Sequence, residues 1–149
     1  MAIEITTLQD AAEWNDLVDR SSQATPFHRA ECLDVLATHA NATLHPYAGF
    51  KGQEPVGIFP IFEISKGPVS TAFSPPPDLK ISYLGPALVN HTKGKQRRRE
   101  KTNSRFITGC LERLDETVDP KYLPLRTGFE YTDTRPLIWA GFEPTTRYT

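Results

Sequence analysis

The chain has 149 residues, with 17 basic and 18 acidic side chains, a net charge of −1 and 38% hydrophobic residues. That length suits one domain with a proper core, and that charge is no electrostatic match for nucleic acid or for a strongly acidic surface. Two cysteines cannot supply a tetrathiolate zinc site and the four histidines show no ligand spacing, while no apolar run approaches the roughly 18 residues of a membrane span.

The start MAIEITTLQ lacks the basic-then-apolar pattern of a signal peptide, so a cytoplasmic location is expected. Cys32 and Cys110 each lie among apolar helical neighbours and read as buried free thiols. The 13 prolines are mostly in the later two thirds, which implies rigid loops and edge strands.

Ala2 to Thr6 alternates as a short strand, with Ile3 and Ile5 facing one way. Thr7 is placed to cap the next helix, with Asp10 near its positive end. Trp14, Leu17 and Val18, joined by Ala11, form the apolar stripe of that helix, and Ser21 to Gln23 end it. Thr25-Pro26 starts a second helix, because the threonine oxygen accepts a loose amide proton and proline lacks one. Its face is Phe27, Ala30, Leu33, Leu36 and Ala37. His28 and Arg29 flank that face, either as a solvated pair or as anion contacts helped by the free amides of a helix start.

Lys51 to Leu88 is the most strand-like stretch, and the flanks must wrap around the sheet it builds. Ala42 to Phe50 reads as a strand, Lys51-Gly52 as a hairpin turn, and Val56 to Ile64 as the return strand. Val56, Ile58, Pro60, Phe62 and Ile64 line one face of it, Phe59 and Ile61 the other, so this strand is expected to be central. Pro60 removes an N–H and predicts a bulge or a broken pairing. Lys66-Gly67-Pro68 turns the chain into a strand from Val69 to Phe73. Ser74 to Asp78 forms a stiff proline loop, a structural spacer or the wall of a cleft. Ile81 to Leu84 resumes a strand that Gly85-Pro86 closes.

Lys93, Lys95, Arg97, Arg98, Arg99 and Lys101 begin a long helix reaching Val118, with Phe106 or Ile107, Cys110, Leu111, Leu114 and Val118 on its apolar face. Positive charge there opposes the helix dipole. The run reads as a solvated face or as a holder of phosphates, from a polyanionic ligand or a coenzyme. Without interleaved aromatics or a glycine-rich phosphate loop, nucleic acid is not the expected partner. After Asp119-Pro120, Tyr122 to Arg126 and Pro136 to Ala140 read as extended. Arg126, Asp133, Arg135 and Trp139 form the most ligand-like cluster, an arginine fork beside a flat aromatic wall, with an Arg–Asp loop tie as the alternative. The last residues, Thr145 to Thr149, read as the entry to another strand.

TPFHR, the GQEPVGIFPIFEISKG hairpin, SPPP ahead of YLGPAL, and RTGFEYTDTRPLIWAGFEPTTRYT occur in that order. Together they resemble the N-terminal half of FemAB-like, GNAT-superfamily acyltransferases, chiefly archaeal proteins with a BioF2-like acetyltransferase domain. The resemblance implies an α/β fold, a GNAT-like half with a mixed, mostly antiparallel sheet flanked by helices. It takes 1–149 as one lobe without the second lobe of the family. It further implies N-acyl transfer to a small-molecule or peptide amine, with acetyl-coenzyme A or aminoacyl-tRNA as the donor. The chain lacks the family's Q/R-x-x-G-x-G/A donor loop. The family-typical positions are His28, Arg29, the loop Ser74 to Asp78, Arg126, Asp133, Arg135 and Trp139, which line or brace the acceptor side of a cleft. Asp133 is the one carboxylate nominated as an amine anchor, and no residue is assigned as general base. The alternative is a non-catalytic, truncated domain of the same kind that dimerises or binds a partner in place of the second lobe.

Overall fold

The computed structural model describes residues 3–81, 83–90 and 95–145. Lys93 of the basic run and positions 146–149 of the expected final strand lie outside them. In chain order come β1 (Glu4–Thr7), α1 (Ala11–Asp19), a 3-10 turn (Pro26–His28), α2 (Ala30–Ala40), β2 (Thr43–Lys51), β3 (Glu54–Lys66) and β4 (Val69–Phe73). The short β5 (Ala87–Leu88), the long α3 (Gln96–Thr117) and α4 (Arg135–Trp139) follow. The architecture is mixed α/β. A five-stranded sheet runs in the order β1-β2-β3-β4, with β5 also paired to β3, and every strand pair is antiparallel. Helices α1 and α2 cover one face and α3 the other.

Two helix starts differ from the expected ones. Asp10, not Thr7, caps α1, its carboxylate accepting the Glu13 N–H at 3.0 Å. Thr25 does accept from the Phe27 N–H at 3.3 Å, but only a single 3-10 turn results. Arg29 then swings into extended backbone (φ −63°, ψ 144°), and α2 starts afresh where the Ala30 N–H reaches the Asn15 side-chain oxygen at 2.8 Å. The interruption lets His28 turn inward while α2 still lays Leu33 and Leu36 on the sheet.

The β2–β3 hairpin is the centre of the molecule, and β3 is buried from Pro55 to Phe62. Pro46 stands directly opposite Pro60. Neither has an N–H, so this site can only be one where the two strands exchange no hydrogen bonds. On its other edge β3 pairs with β5 at Gly57 and Ile58 and with β4 from Phe62 onward, which leaves Pro60 in the gap between them. The expected break at Pro60 is therefore present, closed by the Ser74 hydroxyl donating to the Pro60 carbonyl at 2.6 Å. The bulge lies elsewhere. Gly49 pairs with Gly57 and Phe50 with Pro55, so Val56 is an extra residue. A one-residue insertion reverses the side-chain alternation, and Val56 joins Phe59 and Ile61 on the α3 face, not Ile58 and Phe62 as the simple alternation predicts.

The facing glycines leave a dent that the Phe106 ring of α3 fills. A Cβ at Gly57 would stand 2.7 Å from that ring and one at Gly49 2.5 Å. Both Phe106 and Ile107 are fully buried, as is the Cys110 thiol, whereas the Cys32 thiol is only half-buried. Burial of each such large side chain contributes about 1.5–3 kcal/mol.

Beyond β4, residues 121–127 run parallel to it as expected of an extended segment. The N–H of Ser74 reaches the Pro124 carbonyl at 3.2 Å and that of Arg126 reaches the Ser74 carbonyl at 2.9 Å. Pro124 cannot donate, so the pairing reduces to isolated bridges, Ser74 with Leu125 and Leu84 with Thr127. Of the strand expected over Ile81 to Leu84, the described residues show only that Leu84 bridge. Pairing with β3 resumes only past Pro86, at Ala87 and Leu88. Pro136 to Ala140, expected to be extended, is instead the turn of α4, with proline in its first turn where the missing N–H costs nothing. Among the described residues no helix is long and apolar enough to cross a membrane.

Candidate functional site

The strongest concentration of charge lies where the start of α3 meets the β1–β2 edge. Lys51 closes β2, Lys95 precedes α3, and Arg97, Arg98, Lys101 and Arg105 project from its first turns into a cleft of about 620 Å³. Arg98, Lys101 and Arg105 are spaced to share one helical face. Ile3 of the first strand region forms part of the apolar lining, and no carboxylate is among the described residues that line the cleft. Lys95 gives α3 no side-chain cap and its first turn holds no acidic residue. Lys95, Arg97 and Arg98 thus sit at the positive end of a long helix, each opposing the dipole by about 0.3–1 kcal/mol at an exposed site. An anionic ligand reverses that cost, and phosphates are the anions that lysine and arginine hold best.

The residues singled out in the sequence divide into three places. Asp133, Arg135 and Trp139 do come together at α4. Arg135 holds both Asp133 oxygens at 2.7 and 2.8 Å and reaches Glu100 of α3 at 3.0 Å. Its guanidinium also sits 6.0 Å from the Trp139 ring. Hydrogen bonding from Arg135 holds the carboxyls of Asp133 and Glu100 below their ordinary values. The bidentate grip means that Asp133 meets another cation only by loosening Arg135. Beneath it, the buried Asn103 donates to the Asp133 carbonyl at 2.9 Å and accepts from the Tyr131 hydroxyl at 2.8 Å.

Arg126 is exposed and apart from that cluster, its side chain 3.5 Å from the Ile81 carbonyl. Arg29 pairs with Asp19 at 3.1 Å and Glu31 at 3.4 Å. His28 is neither solvated nor on the surface; it is 0% exposed. The Thr25 N–H donates to its Nδ1 at 2.9 Å, so the ring proton is on Nε2, which donates to the Gly85 carbonyl at 2.9 Å. Burial pushes the imidazole down to about 4. The Gly85 N–H in turn donates to the Ser74 hydroxyl at 3.1 Å. Thr25, His28, Gly85, Ser74 and Pro60 thereby form one relay from the first helical layer to the central strand. The loop of Ser74 to Asp78 is anchored to the core through it.

One polar cluster went unseen in the sequence. His45 of β2 meets Glu63 of β3 at 2.8 Å, and the Ser65 and Ser70 hydroxyls lie 3.2 and 3.4 Å from the other Glu63 oxygen. Folding the two strands back about Gly52 places Glu63 diagonal to His45, and that register is the signal that finds the pair. Among the described residues no group of histidine, cysteine or carboxylate side chains could hold a metal ion. No protein-family model, curated protein or solved structure matches the chain.

Proposed function

We propose that the chain is one lobe of a FemAB-like, GNAT-superfamily N-acyltransferase, acting in the cytoplasm on a small-molecule or peptide amine. Its acyl donor carries phosphates, as acetyl-coenzyme A and aminoacyl-tRNA both do. The observation that carries this reading is the cleft at the start of α3, lined among the described residues by six cations and no carboxylate. The mostly antiparallel sheet with helices on both faces supports the GNAT-like half-domain. In such a lobe the cationic cleft fixes the phosphates of the donor, and holding donor and amine in line supplies much of the rate.

The test is calorimetric titration of the full chain with acetyl-coenzyme A and, separately, with aminoacyl-tRNA, at low and physiological salt. Saturable binding of one of them is expected, weakened by salt and at least tenfold weaker in Arg97→Ala/Arg98→Ala at an unchanged melting temperature. Absence of binding by both donors at low salt refutes the reading.

One observation favours a second reading, a non-catalytic module that dimerises or binds a partner. Leu123 and Leu125 direct their backbone groups away from β4, and no described residue bonds them. Such an edge accepts a further strand. Sedimentation showing a stable dimer without donor binding would select this reading.

A further inference from the structure

The far end of α3 borders a second groove, of about 430 Å³, between that helix, the 120–123 segment and α4. Its walls include Tyr122, Leu123, Trp139 and Phe142, and its charged lining among the described residues is Glu112 and Asp115, with no lysine or arginine among them. Trp139 is 70% exposed and Tyr122 55%, large aromatic surfaces that the chain leaves in water. Glu112 and Asp115 are three positions apart and share a face of α3. Neither is in any of the ion pairs formed among the described residues. They approach the negative end of the helix, whose last turn contains no basic residue, so their charge opposes the dipole as that of the basic cleft does at the other end. At about 1.5 Å per residue, Glu112 lies roughly 22 Å along the axis from Arg97.

We infer that this groove docks a lysine-bearing peptide segment. The aliphatic stem of a lysine lies along Leu123 and Phe142, as such stems do on apolar walls. Its ammonium reaches the two carboxylates and the face of Tyr122, which attracts a cation through the ring quadrupole, while Trp139, already approached by Arg135 at 6.0 Å, supplies apolar wall. An uncharged apolar segment leaves the carboxylates uncompensated, and an acidic one is repelled. The site is separate from the basic cleft and does not depend on the acyl-transfer reading.

The test uses the full chain and an acetylated, amidated hexapeptide of alternating lysine and glycine, with the norleucine version as control. Trp139 emission and backbone amide NMR shifts are followed together. The lysine peptide is expected to saturate, with shifts centred on α4 and the end of α3. Binding weakens at least tenfold in Glu112→Gln/Asp115→Asn, whose surface substitutions leave the melting temperature in place, and in Trp139→Ala followed by NMR. Equal binding of the norleucine peptide overturns the inference, as does the lack of saturation at millimolar peptide. A dimer that dissociates on Trp139→Ala overturns it too, because the occupant is then a second copy.

Discussion

The Nε2–H of His28 points at the carbonyl oxygen of Gly85 from 2.9 Å, inside a fully buried site. Its neutral form is the only one the site accommodates, because the Thr25 N–H already occupies Nδ1. The folded imidazole titrates at about 4 against an ordinary 6.5. Between those values the unfolded chain takes up a proton that the folded chain refuses. The stabilisation is thus fully present above pH 6.5 and is lost as pH falls toward 4, by roughly 3 kcal/mol in all. Urea denaturation at pH 7, 5.5 and 4 measures it. His28→Gln is expected to be less stable at neutral pH and to show a shallower acid decline; parallel declines of the two proteins would contradict the assignment.

Ser74 holds two backbone groups with one hydroxyl, donating to Pro60 and accepting from Gly85. Ser74→Ala leaves a buried carbonyl and a buried N–H without this partner, each costing about 1–3 kcal/mol when unsatisfied. Hydrogen exchange at the Gly85 amide is the sharper probe. It should rise well above that of the neighbouring β5 amides in the variant, and an unchanged rate would mean the hydroxyl bond is dispensable.

Gly57→Ala drives a methyl group into the Phe106 ring, 2.7 Å away, at an expected cost of about 1–3 kcal/mol from overpacking. Phe106→Leu alone also destabilises by loss of ring volume. In the double variant the two costs should fall short of their sum, because the smaller side chain relieves the clash. Strict additivity in a double-mutant cycle would show that the two sites do not touch.

Asp133 and Arg135 offer a contrast between exposed and buried polar contacts. Arg135 is half-exposed in its ion pairs, so Arg135→Ala should cost little, as solvent screens such contacts. Tyr131→Phe leaves the buried Asn103 oxygen without its partner and should cost about 1–3 kcal/mol. Thermal denaturation of the two variants side by side checks the ranking, and the reverse order would be fatal to it.

Much of the sheet was readable from local chemistry. Gly52 and Gly67 mark both hairpin turns, and the alternation from Ala42 to Phe73 places three strands close to their observed ends. What escaped reading depends on phase. The 3-10 turn resets the helical count, so His28 falls inside where counting put it beside the face. The extra residue at Val56 does the same within β3. The α4 turn is too short for periodicity to show and its Leu-Ile-Trp composition suits a strand equally well. Asp133, Arg135 and Trp139 were legible as a group because they are near neighbours in sequence. The basic cleft was only half legible: the run on α3 stands out, but Lys51, at the end of β2, joins it only through the packing of α3 on the sheet.

That packing has a consequence for how the protein is made. The slot between Gly49 and Gly57 receives a ring from a helix that leaves the ribosome long after both glycines. Until that helix arrives, Tyr47, Phe59 and Ile61 present an oily, ready-formed surface with nothing to cover it. The nascent chain therefore passes through a sticky interval until α3 has emerged. The longer that surface waits for its helix, the more of the chain is open to aggregation before it folds.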